Sequence, residues 1–392
     1  MDNNYIIEAK NVTKIYGKNR TEATKMMKNG CEKDEVYKKT GATVALWDVS
    51  LRVKKKEIFV IIGLSGSGKS TIIRCFNQIL KPTSGTILFE GQNVEKLKGK
   101  DLLNLRRKRI SMVFQNFGLL THRNVIDNVA YGLEIKGVPK KERLLEAEKF
   151  IKMVGLEGWE EQQISSLSGG MKQRVGIARA LVNSPDVLLM DEPFSALDPL
   201  VRKEMQFELL SLQRKLEKTI IFITHDINEA FKLGDRVAIM HNGVIVQSGT
   251  PEEMSTNPAN DYVKNFIEGA DMSAVLKVKH VMFTPLCIVR ENVSAANAVM
   301  EMRENQVSSA YAVADDMKFM GIITLDNAIR ARKEKIPLFS LLTKGIPVTG
   351  EEIYLKDIIP KAVEAKFPIA VVGDRGKLKG IVSRASVLSS LS

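Results

Sequence analysis

The chain has 392 residues, of which 44% are hydrophobic and 27% charged, with 27 Gly and 12 Pro. At about 150 residues per domain, this length predicts two or three domains with cores of their own; the composition excludes a disulfide-stapled miniature, a disordered chain and a collagen-like one. The excess of 58 basic over 46 acidic side chains, a formal charge of +12, favours an anionic partner such as nucleic acid, phospholipid headgroups or a nucleotide.

In chain order, MDNNYIIEAK lacks a charged segment followed by an apolar run, and no stretch of about 18 apolar residues follows anywhere. The expectation is a chain that neither enters the secretory route nor spans a membrane, and that serves any membrane process from the cytoplasmic side through a partner. Ile6 to Gly17 and Val44 to Val53 alternate as strands. Between them, residues 18–43 carry TEATKMMKN and EKDEVYKKT, read as two short inserted helices stopped by Gly30 and Gly41. The apolar run Ile58 to Ile62 meets a glycine-rich turn and a helix beginning near Lys69, the opening of an α/β unit. Helical periodicity dominates from Asn124 to Leu181, predicting a helical subdomain over about 116–182, while Val187 to Met190 and Ile220 to Ile223 read as buried parallel strands. After Gly269 the texture changes: Ser309 to Ile329 aligns with Pro368 to Leu388, pairing Gly321 with Gly380, Asp315 with Asp374 and Thr324 with Ser383. That duplication predicts a tandem module of strand, turn, strand and helix, with the domain boundary between 1–270 and 271–392. Cys31, Cys75 and Cys287 lie too far apart for a disulfide framework or a paired-cysteine metal site, and fit a reducing cytosol.

Gly63, Leu64, Ser65, Gly66, Ser67, Gly68, Lys69, Ser70 and Thr71 satisfy GxxxxGK[ST] between a predicted strand and a predicted helix. Glycines let the backbone curl so that amide N–H groups converge on phosphate oxygens, and the helix aims its positive end at the same charge. Lys69 would neutralise the β and γ phosphates of ATP, and the Ser70 hydroxyl would hold Mg2+. The strand from Val187 ends in Asp191 and Glu192, which point to opposite sides and so take different work. Asp191 suits the Mg2+ shell; Glu192 suits polarising a water for in-line attack. Leu167 to Arg174, LSGGMKQR, opens a helix with Ser and Gly, a second cluster of free N–H groups.

That last stretch resembles the signature sequence of ABC-type ATPases. The resemblance extends to Gln115 in MVFQNFG, to Ser195, Ala196, Leu197 and Asp198 (the D-loop), to His225 in FITHD (the switch histidine) and to Tyr16 in TKIYG. It implies an α/β fold with a helical subdomain, Tyr16 stacking on adenine, Gln115 joining Ser70 and Asp191 at Mg2+, and His225 beside the catalytic Glu192 holding the γ phosphate. It also implies a head-to-tail homodimer in which ATP bound to one subunit is covered by Ser168, Gly169, Gly170, Gln173 and Asp198 of the other. Gln115 would report the nucleotide state to a membrane permease.

Within that family, the insertion ending KKTGATVALWDVSL, the segment from Glu57 through the glycine loop, the basic run Arg106 to Arg109 and NPANDYVKNF at 257–266 resemble the ATPase subunit of glycine betaine and proline betaine importers. Pro193 departs from the Ala common in that group and leans toward choline or carnitine relatives. A soluble ABC ATPase acting on nucleic acid is disfavoured by the single glycine loop, the single signature and the lack of sustained heptads. A permease and a substrate-binding protein or domain are the implied partners, with the chain at the cytoplasmic face of the membrane.

The duplicated tail resembles a pair of cystathionine beta-synthase (CBS) type repeats, an α+β module. Where that family places a ribose-binding acid, this chain has Asn327 and Ser386, with Asp326 one place early, which argues against ordinary adenosine phosphates. The tail then reads either as a dimerisation module without a ligand or as a regulatory module with one of two candidate ligands. One is anionic lipid touching basic residues of the tail or the early insertion, a contact that salt would screen over about 8 to 10 Å. The other is a cyclic dinucleotide.

Overall fold

The computed structural model describes residues 4–195, 197–271, 273 and 275–390. These fall into two compact units, residues 1–270 and 271–392.

The first unit opens with β1 (Tyr5–Tyr16), the helices α1 (Arg20–Lys28) and α2 (Lys33–Thr40), then β2 (Thr43–Lys54), β3 (Ile58–Ile62) and α3 (Lys69–Phe76). It continues with β4 (Ser84–Phe89), β5 (Gln92–Asn93), α4 (Gly99–Asn104) and β6 (Ile110–Val113), then α5 (Val125–Ile135), α6 (Lys140–Met153) and α7 (Gly169–Leu181). Then come β7 (Val187–Asp191), α8 (Pro199–Leu216), β8 (Thr219–Thr224), α9 (Ile227–Leu233), β9 (Arg236–His241), β10 (Val244–Gly249), α10 (Pro251–Thr256) and α11 (Asp261–Ile267).

Two sheets result. The larger has the order β10-β9-β3-β8-β7-β6 and is parallel except for β10 at its edge. Its central strands β3, β7 and β8 are buried at every position. That is why they read as unbroken apolar runs, since a parallel sheet is covered on both faces. The smaller, β2-β1-β4-β5, is antiparallel, and its alternating strands begin and end within one residue of the expected positions. Both sheets contribute to one core that includes Val12, Val49, Phe59, Ile61, Phe76, Ile87, Leu189 and Ile223.

The inserted helices α1 and α2 close over a small core of their own, Ile15, Ala23, Val36, Ala42 and Val44. Lys33 of α2 donates a hydrogen bond to the Val44 carbonyl at 2.7 Å, and burial pulls its pKa down to about 8. Helices α5 to α7 fill the stretch between β6 and β7. The fully buried Asn128 of α5 bonds both the N–H and the carbonyl of Leu120, which fixes the loop that follows Gln115.

The second unit comprises α12 (Val278–Val281), β11 (Ile288–Arg290), α13 (Ala295–Glu304), β12 (Ser309–Val313), β13 (Phe319–Thr324) and α14 (Leu325–Glu334). After these come β14 (Val348–Thr349), α15 (Leu355–Glu364), β15 (Ile369–Val372), β16 (Leu378–Val382) and α16 (Arg384–Ser389). The duplication is visible in its sheets. β11-β12-β13 and β14-β15-β16 each join a parallel pair to an antiparallel one, and Gly321 and Gly380 hold the same register position. Each repeat has its own apolar cluster, and a third, with Tyr311, Val313 and Ile322 from one repeat and Ala370, Leu378 and Ile381 from the other, joins them.

Candidate nucleotide site

The glycine loop leaves β3 and enters α3. Two of its glycines are required by close approach. A Cβ on Gly63 would sit 2.1 Å from the Met240 carbonyl oxygen, and Gly68, at φ +104°, would bring one within 2.6 Å of the Ala45 carbonyl oxygen. Any other residue there would push the loop off β9 and β2. A cavity of about 780 Å³ opens over the loop, lined by Leu64, Ser65, Gly66, Gly68, Lys69, Ser70 and Thr71, by Gln115, Glu192 and His225, and by Thr43, Val44 and Ala45 of β2. Ten of the residues expected to touch ATP or its magnesium therefore share one cavity wall.

Lys69 is buried and folds over the loop, donating to the Gly63 and Leu64 carbonyls at 2.8 and 3.0 Å. Burial lowers its pKa, opposed by the nearby charges of Glu192 and Asp191. Asp191 is wholly buried beneath the cavity. It accepts from the Ser70 hydroxyl at 2.9 Å and pairs with the Arg74 guanidinium at 2.9 Å. Glu192, one residue on, leaves the strand at φ +48° and turns to the opposite side, where His225 Nδ1 and Gln115 Nε2 each lie 3.4 Å from its Oε2. The two carboxylates thus face different surroundings: Asp191 is held by donors, Glu192 faces the cavity. A positive φ at a non-glycine residue stores strain, about 1–3 kcal/mol where the surroundings enforce it, and here it aims the carboxylate at the cavity.

Other expected residues sit elsewhere. Tyr16 lies opposite Thr43 in the β1–β2 register, half exposed, with Lys14 over its ring; it is not among the cavity-lining residues. Gly63 and Ser67 lie beneath the loop, and the buried Ser67 hydroxyl has no partner among the described residues. Ser168 caps α7, accepting from the Met171 N–H at 3.3 Å, and with Gly169 is exposed, away from the cavity. Asp198 is exposed and caps α8. Gln173, expected with Ser168 to cover the partner's ATP, is wholly buried, and neither side-chain amide atom has a partner among the described residues. It projects into the interior because, at 3.6 residues per turn, a position five residues on from Ser168 lies about 140° around the helix from it. Ala196 lies outside the described residues.

Sequence reasoning missed Arg74 and the β2 wall. Arg74 stands four residues after Ser70 on α3, so the two share a helix face toward Asp191, a spacing legible in KSTIIR. Thr43 to Ala45 reach the site only through the packing of β2 against the larger sheet, which no local pattern encodes.

The second unit holds a separate cavity of about 350 Å³, lined by residues that include Phe283, Leu286, Cys287, Tyr311 and Pro368; among the described residues no charged side chain lines it. Asn327 is tied to the Leu341 carbonyl at 2.9 Å, and Ser386 is locked in a reciprocal cap with Ser383. Neither ribose position presents an acid.

A family model described as ABC transporter matches residues 46–195, and one described as CBS domain matches residues 278–334. The glycine betaine/carnitine transport ATP-binding protein of Listeria monocytogenes is 47% identical over 98% of this chain and 97% of its own length. The glycine betaine/proline betaine transport system ATP-binding protein of Salmonella typhimurium is 40% identical over 98% of this chain and 97% of its own length. Among solved structures, an ATP-binding cassette described as a dimer in a post-hydrolysis state, bound to ADP and Pi, superposes with a TM-score of 0.53 at 32% identity, covering 62% of this chain and 98% of its own. Among the described residues, no helix is long and apolar enough to cross a membrane.

Proposed function

The chain belongs to the ATP-binding subunits of ABC transporters, in the betaine-importer group, and from that premise we propose that it hydrolyses ATP to drive uptake of a quaternary amine, glycine betaine or proline betaine, through a membrane permease. The observation that carries the reading is the single cavity in which the phosphate loop, Lys69, Glu192, Gln115 and His225 meet, in a chain alignable along almost its whole length with betaine-transport subunits.

The chemistry follows from the placement. Loop amides and the N-terminus of α3 receive the phosphates, and Lys69 exchanges its two loop carbonyls for phosphate oxygens. A water between Glu192 and the γ phosphorus attacks in line. Glu192 accepts its proton, the bond from the γ phosphorus to the bridging oxygen breaks, and ADP and phosphate result. His225, already within reach of Glu192, holds the γ phosphate. The donors fit Mg2+, a hard cation that takes oxygen ligands: the Ser70 hydroxyl and the Gln115 amide at the cavity, with Asp191 behind Ser70. Bound there, magnesium would neutralise charge on the β and γ oxygens.

We place the second half of the site on a second copy of the chain, since Ser168 and Asp198 are exposed and away from the cavity they would serve. The permease contact is assigned to a groove of about 360 Å³ lined by Ile79, Phe114 and Tyr131, the second of these adjacent in sequence to Gln115. A substrate-binding protein or domain completes the importer on the far side. Regulation is assigned to the second unit, with an anionic lipid or a cyclic dinucleotide as its input.

The test is copurification with the permease and an ATPase assay against candidate osmolytes. Stimulation by glycine betaine or proline betaine supports the reading; stimulation only by an unrelated solute removes it. For the regulatory unit, transport in vesicles by a chain lacking residues 271–392 should lose its dependence on internal salt, and unchanged dependence removes the tail as sensor.

A further inference from the structure

Helix α8 carries polar contacts on two faces. Toward the signature, a Cβ on Gly170 would lie 2.5 Å from Val201 Cγ1, so α7 rests directly on α8, and Arg174 pairs with Glu208 at 2.7 Å. At its start, Asp198 accepts from the Leu200 and Val201 N–H groups, and Arg202 donates to the Leu197 carbonyl at 3.1 Å. Toward α9, Gln206 donates to Glu229 Oε1 at 3.2 Å, and Arg202 approaches Glu229 at 3.8 Å and Asp226 at 3.9 Å.

Glu229 itself is 6% exposed and accepts from the Thr224 hydroxyl at 2.6 Å; that hydroxyl in turn accepts from the Asp226 N–H at 3.1 Å. Thr224 and Asp226 flank His225. The residues on either side of the switch histidine are therefore fixed by a buried carboxylate that α8 also holds. Burial raises the pKa of Glu229, the Thr224 hydroxyl and Arg202 opposing. A buried charged group adds little net stability compared with an apolar replacement, so its presence here calls for a reason in geometry.

We propose that α8 is a rigid relay joining the signature and D-loop, which face the partner subunit's nucleotide, to the switch histidine of its own site, with Glu229 as the positioning residue at the inner end. The inference rests on the shared-site reading above. A shift of the signature when the partner's nucleotide binds moves α8 through Gly170 and Arg174, and α8 moves the Thr224–Asp226 turn through Arg202, Gln206 and Glu229.

The test uses the full chain and compares Glu229→Gln, Arg202→Gln and the double variant with wild type and with Glu192→Gln, reading turnover and equilibrium binding of a fluorescent ATP analogue. Loss of a coupling contact predicts turnover reduced by about three- to thirtyfold, analogue affinity within about twofold of wild type, and a double variant no slower than the slower single one, since both act on one relay. Unchanged turnover, affinity that falls in step with turnover, or losses that multiply in the double variant would overturn the proposal. If Glu229→Gln does not fold, Arg202→Gln alone decides by the same split between turnover and affinity. Glu192→Gln separates the two readings: if it keeps wild-type turnover the hydrolytic site is wrong, whereas if it is dead while the relay variants run normally only the relay is wrong.

Discussion

The two units bury different kinds of side chain. Among the described residues, Glu57, Lys69, Asp191 and Glu229, the buried charged groups, all belong to the first unit, together with Ser67, Asn128, Gln173, Gln206 and Thr224; the second unit buries Thr349 and otherwise apolar residues. Interior charge is costly unless it is paired or put to use. The first unit keeps Lys69 and Asp191 at the candidate phosphate site, Glu229 behind His225 and Glu57 paired with Arg236 at 3.3 Å, whereas the second keeps apolar clusters and an uncharged cleft. Buried charge is thus concentrated in one unit, and the other is built on apolar packing.

The strongest way to break this contrast is at Glu192. Glu192→Gln keeps shape and nearly all packing but cannot take a proton, so turnover should fall about 10²- to 10⁴-fold while ATP is still held; wild-type turnover in a phosphate-release assay contradicts the assignment. Lys69→Ala should weaken ATP binding to the full chain about ten- to hundredfold, the loss of charge-assisted contacts to phosphate. Calorimetry would show whether any tight stoichiometric binding survives. A surviving site would put an adenosine phosphate in the repeats and erase the contrast.

Smaller effects sharpen it. Lys33 has an ordinary pKa of 10.5, lowered to about 8 by burial in the folded chain. A depressed lysine contributes stability that is present above 10.5 and lost as pH falls through about 8. The melting temperature of wild type relative to Lys33→Met should therefore rise between those values; a parallel pair of curves contradicts it. In the second unit, Tyr311 donates from its hydroxyl to the Pro368 carbonyl at 2.7 Å, linking the two repeats. Tyr311→Phe should cost about 0.5–1.5 kcal/mol in urea unfolding with ATPase turnover untouched, and a loss of turnover would show that the repeats reach into the chemistry.

Much of this was legible in the sequence because the signals are local. The glycine loop needs Gly63 and Gly68 wherever it is built, the buried strands declare themselves by unbroken apolar runs, and the tail by Gly321 and Gly380 in matching frames. Placement that depends on sheet pairing or helix rotation was not legible. Thr43 to Ala45 reach the cavity because β2 packs against β10 and the turn before it, where the Trp47 N–H donates to the Gly243 carbonyl at 2.8 Å; Gln173 turns inward because of its angle on α7, and Glu229 meets Arg202 only once α8 and α9 have docked. The departures at Asn327 and Ser386 were visible as letters, but their structural bonds to Leu341 and Ser383 were not.

The central claim is a nucleotide clasped between two copies, and sedimentation tests it most directly. Full-length Glu192→Gln with saturating ATP should sediment as a dimer, and adding Ser168→Arg to it should leave a monomer that still binds ATP. A monomer in the first case, or an undisturbed dimer in the second, would contradict the account.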